Sequence, residues 1–255
     1  MKLTRIQLVL ACALAALALP ATRAGATDAG TTHVAVAANF TQPAKEIAAA
    51  FKQKTGYEAA LSFGASGQFY AQISQGAPFE VFLSADEKRP KDAAAAGLAV
   101  PESRFTYAIG QLVLWSKSLD VTKGDETLKA DGFAKLAIAN PAAAPYGAAA
   151  LETLKALGVY DKAQLKIVQG NSIAQAFQFV ETGNAELGFV ARSQLANVPG
   201  GSRWLVPQSL YKPIRQDAIL LQKGANSAPS KAFLDFLKGP EARAIIEKFG
   251  YALDR

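Results

Sequence analysis

Short apolar runs alternate with helical patterns along most of this chain, and this alternation limits the possible folds more than any other feature. The apolar runs predict strands at residues 34–37, 59–63, 81–84, 107–115, 136–139, 165–168, 187–190, 204–207 and 218–222. The spacing of apolar residues between them predicts helices at 43–54, 67–75, 87–96, 147–157, 173–181, 229–238 and 240–249. Strands that alternate with helices are typical of mainly parallel sheets covered by helices, so we expect an α/β protein.

The strand–helix pattern runs through two cycles of similar size, at residues 32–97 and 136–190. Two further extended segments, 105–117 and 217–222, lie where the chain would pass between the cycles. No Gly/Ser-rich or Pro-rich linker separates the cycles, so we expect a short, hinge-like join. The sequence therefore predicts two lobes, each a mixed, mainly parallel sheet flanked by helices, joined by two crossing strands. The predicted division gives residues 27–108 and 217–255 to lobe I and residues 109–216 to lobe II.

Residues 1–26 have the pattern of a secretory signal peptide. Lys2 and Arg5 precede an apolar run at 6–19, and Ala24-Gly25-Ala26 matches the small-residue cleavage pattern. A run of about 14 apolar residues is too short to span a bilayer, which needs roughly 20. We therefore expect export and a mature chain that starts near Thr27.

Cys12 is the only cysteine of the chain, and it lies inside that apolar run. A lipoprotein interpretation of this position is weaker, because the apolar run continues well past the cysteine. The mature chain then has no thiol chemistry and no disulfide. Without a lipid anchor, the expected location is the periplasm.

The charge of the mature chain argues against nucleic acid as a partner. The predicted signal peptide removes three positive charges and no negative one, so the net charge falls from +6 to +3. The remaining charges are spread along the chain and form no basic stripe with interleaved aromatic residues. Such a stripe is what nucleic-acid binding requires, so we expect none.

Residues for catalysis and metal binding are scarce. His33 is the only histidine and precedes the first predicted strand, a poor position for a catalytic triad. One histidine, no mature cysteine and no clustered carboxylates make a metal site improbable on composition. No glycine-rich phosphate loop follows a strand. We therefore predict a binding protein and not an enzyme, with no cofactor and no direct protein ligation of a metal.

Two strand-to-helix turns are rich in amide and hydroxyl donors and contain no carboxylate. The first is Ala38-Asn39-Phe40, and the second covers residues 63–68 with the sequence Phe-Gly-Ala-Ser-Gly-Gln. Helix N-termini carry unsatisfied N–H groups and the positive end of the helix dipole, so such turns suit anions. If both turns face one cleft, the protein binds a small oxyanion.

Several segments resemble the periplasmic molybdate-binding proteins of ABC transporters. The most specific is residues 76–86, Gly-Ala-Pro-Phe-Glu-Val-Phe-Leu-Ser-Ala-Asp. The others are residues 34–40, residues 63–67, Asn140-Pro141 with Pro145-Tyr146-Gly147 and the helix after it, and residues 233–242. These segments cover nearly all of the mature chain in the family's order. The resemblance implies a type II periplasmic binding protein that closes on molybdate or tungstate and delivers it to a permease in the inner membrane.

The resemblance also implies a set of ligand-binding residues. It places oxyanion donors at Asn39 and Ser66 in the first lobe, and at Tyr146 and the backbone N–H of Ile173 in the second. Many family members have serine in place of Asn39 and a ligand tyrosine in place of Ala191. Alanine has no side-chain donor, so we infer that the Tyr146 hydroxyl, entering from another loop, replaces the missing one. The chain would thus be an Asn/Tyr variant of the site, to which Ala38, Ser172 and Arg192 could also contribute.

A site made of neutral donors also predicts selectivity. Monohydrogen phosphate has an O–H that a carboxylate-free pocket leaves without an acceptor, at a cost of about 1–3 kcal/mol. Sulfate has no such proton at neutral pH, so only the size of the pocket separates it from molybdate and tungstate. A receptor for sulfate or another tetrahedral oxyanion therefore stays open as an alternative, as does an anion-sensing periplasmic subunit. In each case we expect a monomer.

Overall fold

The computed structural model describes residues 30–254 and contains two five-stranded sheets, each covered by helices. The predicted signal peptide, residues 1–26, lies outside the described residues. Two separate sheets with helices on them confirm the predicted α/β class and the arrangement of two mixed sheets.

The first sheet has the strand order β2-β1-β3-β10-β4. Its strands are β1 (Thr31–Ala37), β2 (Glu58–Gly64), β3 (Val81–Leu83), β4 (Phe105–Gly110) and β10 (Ile214–Leu220). β1 runs parallel to β2 and β3, whereas β10 runs antiparallel to both β3 and β4. The parallel strand β3 is buried throughout and β1 is buried from Val34 to Ala37, and these apolar runs made both strands predictable.

The second sheet has the strand order β7-β6-β8-β5-β9. Its strands are β5 (Leu112–Ser116), β6 (Leu136–Ala139), β7 (Ile167–Gly170), β8 (Leu187–Ala191) and β9 (Ser202–Leu205). β6 runs parallel to β7 and β8, and β5 runs antiparallel to β8 and β9. Each sheet is therefore mixed, with a parallel part that carries the strand-to-helix turns.

Nine α-helices lie within residues 30–254. They are α1 (Thr41–Thr55), α2 (Ser66–Ser74), α3 (Lys88–Ala95), α4 (Asp125–Ala130), α5 (Pro145–Ala156), α6 (Tyr160–Ala163), α7 (Ile173–Glu181), α8 (Ala228–Lys238) and α9 (Pro240–Lys248). The sequence did not predict α4 and α6. Both are short, and only Leu128 of α4 and Ala163 of α6 are buried, so neither has the repeated apolar face that marks a helix in sequence.

The predicted strand at 107–115 is two strands in the structure. Gln111 separates β4 of the first sheet from β5 of the second, so the chain passes between the sheets at this residue. The second passage runs from β9 through residues 206–213 into β10. Two crossing connections are therefore present, and the predicted lobe boundaries at 108/109 and 216/217 lie inside β4 and β10. The division into lobes stays a prediction.

Two other predicted strands are shifted. Leu165 lies in a short 3₁₀ turn, and β7 begins only at Ile167. The Leu165 side chain is 86% exposed, so its apolar character did not indicate a buried strand. β10 begins at Ile214, earlier than predicted, since its first residues pair with β4. The polar sequence Arg215-Gln216-Asp217 hid this part of the strand.

The C-terminal helices complete the core of the first half. α8 packs against β1 and β10, and α9 packs against α1. Phe233 of α8 is fully buried and meets Phe51 of α1 edge to face, with 5.3 Å between ring centroids. Within the part of the chain that the structure describes, no helix has the length and apolar character needed to cross a membrane.

Replacing Phe233 with alanine should lower the free energy of unfolding of the first half by about 3–5 kcal/mol, because it removes a fully buried aromatic ring and leaves a cavity. Urea denaturation followed by circular dichroism measures the change. Leu165→Ala is the control, and its exposed side chain should change stability by less than about 0.5 kcal/mol. Equal effects of the two substitutions would contradict this account of the core.

Candidate functional site

The four residues assigned from the resemblance all line one small cavity between the two sheets. The lining residues are Ala37, Ala38, Asn39, Gly64, Ala65, Ser66, Ala85, Ala144, Pro145, Tyr146 and Ile173. Asn39 and Ser66 come from turns of the first sheet, whereas Tyr146 and Ile173 come from helices that follow strands of the second. The structure thus brings together residues from both halves of the chain.

Strand pairing explains why these turns meet. β1 and β2 are parallel neighbours that end side by side, with Ala37 opposite Gly64. β6 and β7 end in the same way, with Ala139 opposite Gly170. The segments that leave the carboxyl ends of adjacent parallel strands lie together at one edge of a sheet, the usual place for a ligand in α/β folds. In this protein two such edges face each other.

Three helices begin at the cavity. The first residues of α2, α5 and α7 are Ser66, Pro145 and Ile173, and all three line it. The first N–H groups of a helix have no acceptor within the helix, and the helix dipole places partial positive charge there. Pro145 lacks an N–H, so α5 offers its dipole and the side chain of its second residue, Tyr146.

Ser66 is buried and has a hydroxyl proton left to donate. Its Oγ accepts a hydrogen bond from the backbone N–H of Ala85 at 2.8 Å. A hydroxyl that accepts in this way keeps its own proton for another partner. Ser66 can therefore present both its O–H and its helix-terminal N–H to a ligand.

Asn39 is also buried, but its side-chain amide is used within the protein. Its Nδ2 donates to Oε1 of Gln216 at 2.8 Å and to the hydroxyl of Tyr251 at 2.9 Å. Both amide hydrogens are therefore taken. The donor that Asn39 can still offer is its backbone N–H, which lies in the first turn of the 3₁₀ segment Ala38–Phe40, where no helical acceptor precedes it.

Tyr146 lies in the first turn of α5 and not in a loop, which corrects one detail of its predicted position. The helix begins at Pro145, not at the predicted residue 147, and the tyrosine is only 1% exposed. Its hydroxyl oxygen accepts from Nε2 of Gln216 at 3.3 Å. Burial raises the pKa of this hydroxyl well above its usual value of 10.0, so the group keeps its proton at neutral pH.

Ile173 is the first residue of α7, as predicted. Ser172 precedes it as the N-cap, and the Ser172 Oγ accepts from the backbone N–H of Gln175 at 3.4 Å. The Ser172 hydroxyl therefore caps the helix. Ile173 lines the cavity, and its N–H has no acceptor within the helix. Arg192 does not line the cavity and instead donates to Oε1 of Gln111.

Two buried residues behind the cavity were not found from the sequence. Gln216 contacts both Asn39 and Tyr146, and Tyr251 contacts Asn39. Each lies far from these partners along the chain, so local sequence patterns carry no sign of the contacts. Gln216 stands between two charged residues, an arginine and an aspartate, so nothing in the sequence indicated that it is buried.

The electrostatics of the cavity are those of neutral dipoles. Among residues 30–254, every side chain that lines the cavity is uncharged. A charged pair, Asp86 and Arg89, lies in a larger groove that shares Ala85 and Pro145 with the cavity. Over the same range, no group of His, Cys, Asp and Glu side chains could hold a metal ion. The arrangement is suited to binding a compact anion through N–H and O–H donors.

Comparison with known proteins agrees with this geometry. A family model described as "Bacterial extracellular solute-binding protein" matches residues 32–252. The chain belongs to this family. It is 57% identical to Molybdate-binding protein ModA of Rhodobacter capsulatus, over 93% of this chain and 92% of the relative. It is 52% identical to Molybdate-binding protein ModA of Azotobacter vinelandii, over 89% and 92%.

A solved structure gives the same result for the fold. The periplasmic molybdate-binding protein of Azotobacter vinelandii superimposes with a TM-score of 0.84 at 42% identity, covering 88% of this chain and all of that one. The resemblance to molybdate-binding proteins stated from the sequence is therefore confirmed, as is the two-lobed binding-protein fold. These relatives are named as binding proteins, in agreement with the prediction that the chain is not an enzyme. The family's description as extracellular agrees with the expected export.

The buried tyrosines predict how stability depends on pH. Burial raises the pKa of Tyr251 to about 12, and it raises the pKa of Tyr107 well above 10.0. Because these phenols ionise at about pH 10 in the unfolded chain, their contribution is fully present below that pH and is lost as the pH rises from 10 through the folded values. Urea denaturation between pH 7 and 11 should show stability falling above about pH 10. Tyr251→Phe should make the fall shallower, and an unchanged slope would contradict the assignment.

Proposed function

We propose that the protein captures molybdate, and by the same donors tungstate, in the cavity between its two halves and delivers it to an ABC transporter permease. One observation carries the proposal: Asn39, Ser66, Tyr146 and Ile173 converge on a single cavity with uncharged walls, where three helices begin. The high identity to proteins named for molybdate supports the choice of ligand.

The donor set suits a doubly charged anion. An oxyanion that leaves water loses its hydration shell, and only N–H and O–H groups can replace it without adding a countercharge. Each hydrogen bond to a charged partner contributes roughly 1.5–3 kcal/mol net of water. Ser66 and Tyr146 supply hydroxyl donors, and the helix start at Ile173 supplies a backbone donor. The converging helix dipoles add favourable potential.

The same neutral walls set the selectivity. A monohydrogen phosphate ion carries an O–H that must find an acceptor, and no carboxylate lines this cavity among the described residues. An unpaired O–H costs about 1–3 kcal/mol. Fully deprotonated tetrahedral ions, molybdate and tungstate among them, do not incur this cost.

Capture requires the two halves to open and close. The cavity volume is about 10 Å³, room for about one water molecule, so the halves must move apart both to admit a four-oxygen ion and to hold it. Direct contacts between the halves favour the closed form: the Gly67 N–H donates to the Ala143 carbonyl at 2.9 Å, and Arg89 Nη2 donates to the Ala142 carbonyl at 2.8 Å. This is hinge closure around a ligand.

The remaining parts of the proposal concern the setting. We propose that the chain is exported to the periplasm through a signal peptide at residues 1–26 and acts as a monomer without a cofactor. The hinge would lie where the chain crosses between the two sheets, at Gln111 and at residues 206–213, close to the predicted boundaries between lobe I (27–108 with 217–255) and lobe II (109–216). The closed form would dock on the permease in the inner membrane.

Molybdate should raise the melting temperature of the mature chain in a concentration-dependent way, because a ligand that binds only the native state stabilises it. At 100 times its Kd the expected gain is about 2.7 kcal/mol. A thermal-shift panel with molybdate, tungstate, sulfate and phosphate measures this. A shift with sulfate and none with molybdate or tungstate would instead favour a sulfate receptor.

Ser66→Ala and Tyr146→Phe should each weaken molybdate binding by about 1–3 kcal/mol, since each removes one hydroxyl donor to a charged ligand. Isothermal titration calorimetry measures the affinity. Ser74→Ala is a matched control, because Ser74 is an exposed residue of the same helix whose hydroxyl bonds to the Tyr70 carbonyl. Unchanged affinity in both site variants would rule out this cavity as the binding site.

A further inference from the structure

We propose that Gln216 is a positioning residue that makes the Tyr146 hydroxyl a hydrogen-bond donor toward the bound anion. The inference rests on the proposed function and extends it to a residue that does not line the cavity. Gln216 is fully buried in β10 of the first sheet, while Tyr146 belongs to α5 on the second. Their contact therefore also joins the two halves directly behind the site.

The polar contacts of Gln216 occupy both ends of its amide. Its Oε1 accepts from Nδ2 of Asn39 at 2.8 Å. It also lies 3.1 Å from the hydroxyl of Tyr107, whose single proton is shared between this oxygen and the Ser84 carbonyl at the same distance. Its Nε2 donates to the Tyr146 hydroxyl at 3.3 Å. The direction of each of these bonds follows from groups further along the network.

The network starts at the backbone carbonyl of Asn39, which can only accept. Ser193 Oγ donates to this carbonyl at 2.8 Å, and the Tyr251 hydroxyl donates to it at 2.9 Å. Tyr251 also lies 2.9 Å from Ser193 Oγ. Whichever of the two oxygens takes the Tyr251 proton, that proton points away from the Asn39 side chain. The Tyr251 oxygen must therefore accept from Asn39.

That requirement fixes both amides in turn. Asn39 must present its NH₂ group to Tyr251, and the second hydrogen of the same NH₂ then reaches Gln216. Gln216 must therefore accept this hydrogen bond with its side-chain carbonyl oxygen. Its NH₂ group is left facing Tyr146, whose oxygen accepts. The phenol proton is then not taken by Gln216 and can point at the ligand, with the Tyr251 hydroxyl as the other oxygen nearby.

The reversed arrangement is unfavourable. If the Gln216 amide were turned over, its NH₂ would face the NH₂ of Asn39, and a buried donor would lose its acceptor. Such a loss costs about 1–3 kcal/mol. Tyr146 would then donate its proton to Gln216 and offer the anion only a lone pair. A doubly negative ligand would be repelled by that lone pair.

Gly110 provides the space in which this contact forms. A Cβ at residue 110 would lie 2.1 Å from the Tyr146 hydroxyl oxygen and 2.7 Å from Nε2 of Gln216. Neither distance is sterically possible, so any side chain at this position would push the two groups apart. The end of β4 is thus shaped around the Gln216–Tyr146 hydrogen bond.

A double-mutant cycle tests the inference on the mature chain, with molybdate as the probe and calorimetry as the readout. Gln216→Met, which keeps the volume and removes both polar groups, should weaken binding about two- to tenfold. Combined with Tyr146→Phe it should weaken binding no further than Tyr146→Phe alone, because Gln216 acts through that hydroxyl. Combined with Ser66→Ala the two losses should multiply, because Ser66 is outside the network.

The outcomes separate the two proposals. A wild-type chain that does not bind molybdate contradicts the proposed function, and the positioning role with it. If the wild-type chain binds molybdate, two results overturn only the role of Gln216. One is unchanged affinity in Gln216→Met. The other is that the loss of affinity in Gln216→Met multiplies with that of Tyr146→Phe as fully as with that of Ser66→Ala. If Gln216→Met does not fold, Gln216→Leu replaces it in the same cycle, and Tyr146→Phe should likewise have no further effect in that background.

Discussion

The exchange of water for protein hydrogen-bond donors is the interaction on which the rest of this structure depends. A small, doubly charged ion is strongly hydrated, and a dry site holds it only if dipoles are already in place. Two pairs of parallel strands supply those dipoles, since each pair ends at one edge and the chain turns there into helices or 3₁₀ segments. The sheets are therefore the means by which backbone N–H groups from distant parts of the chain face one point.

A second buried set of hydrogen bonds holds this arrangement in register. Asn39, Ser193, Gln216 and Tyr251 come from four separate segments, and each is at least nine-tenths buried. Ser193 and Tyr251 both donate to the Asn39 carbonyl, whereas Gln216 accepts from the Asn39 side chain. The donor and acceptor directions of the network therefore start at that carbonyl. Ser193 and Tyr146 belong to the second half and the others to the first. Separation of the halves would break bonds of this network as well as contacts to the ligand.

Local patterns made part of this predictable. Ser66 and Ile173 lie at strand-to-helix turns, where small and polar residues mark the start of a helix within a few positions. Tyr146 was identified only through the resemblance, and its helix begins at Pro145, two residues before the predicted start. Gln216 and Tyr251 were missed, since contacts across 177 and 212 residues depend on how two sheets pack. The hydrogen-bond partners of the Asn39 side-chain amide could not be predicted from the sequence for the same reason.

Gly110, Tyr146 and Ala191 explain together how one donor can take the place of another. Ala191 ends β8, is fully buried and has no side-chain donor. A hydroxyl can reach the cavity from α5 instead, but only if the end of β4 carries no side chain, because a Cβ at Gly110 would overlap the Tyr146 oxygen. The tyrosine also needs a group behind it that donates, and Gln216 lies there. Moving the donor from one loop to another thus requires at least three positions to be compatible. The donor at Tyr146 is therefore a property of the packing between the two halves and not of its own segment.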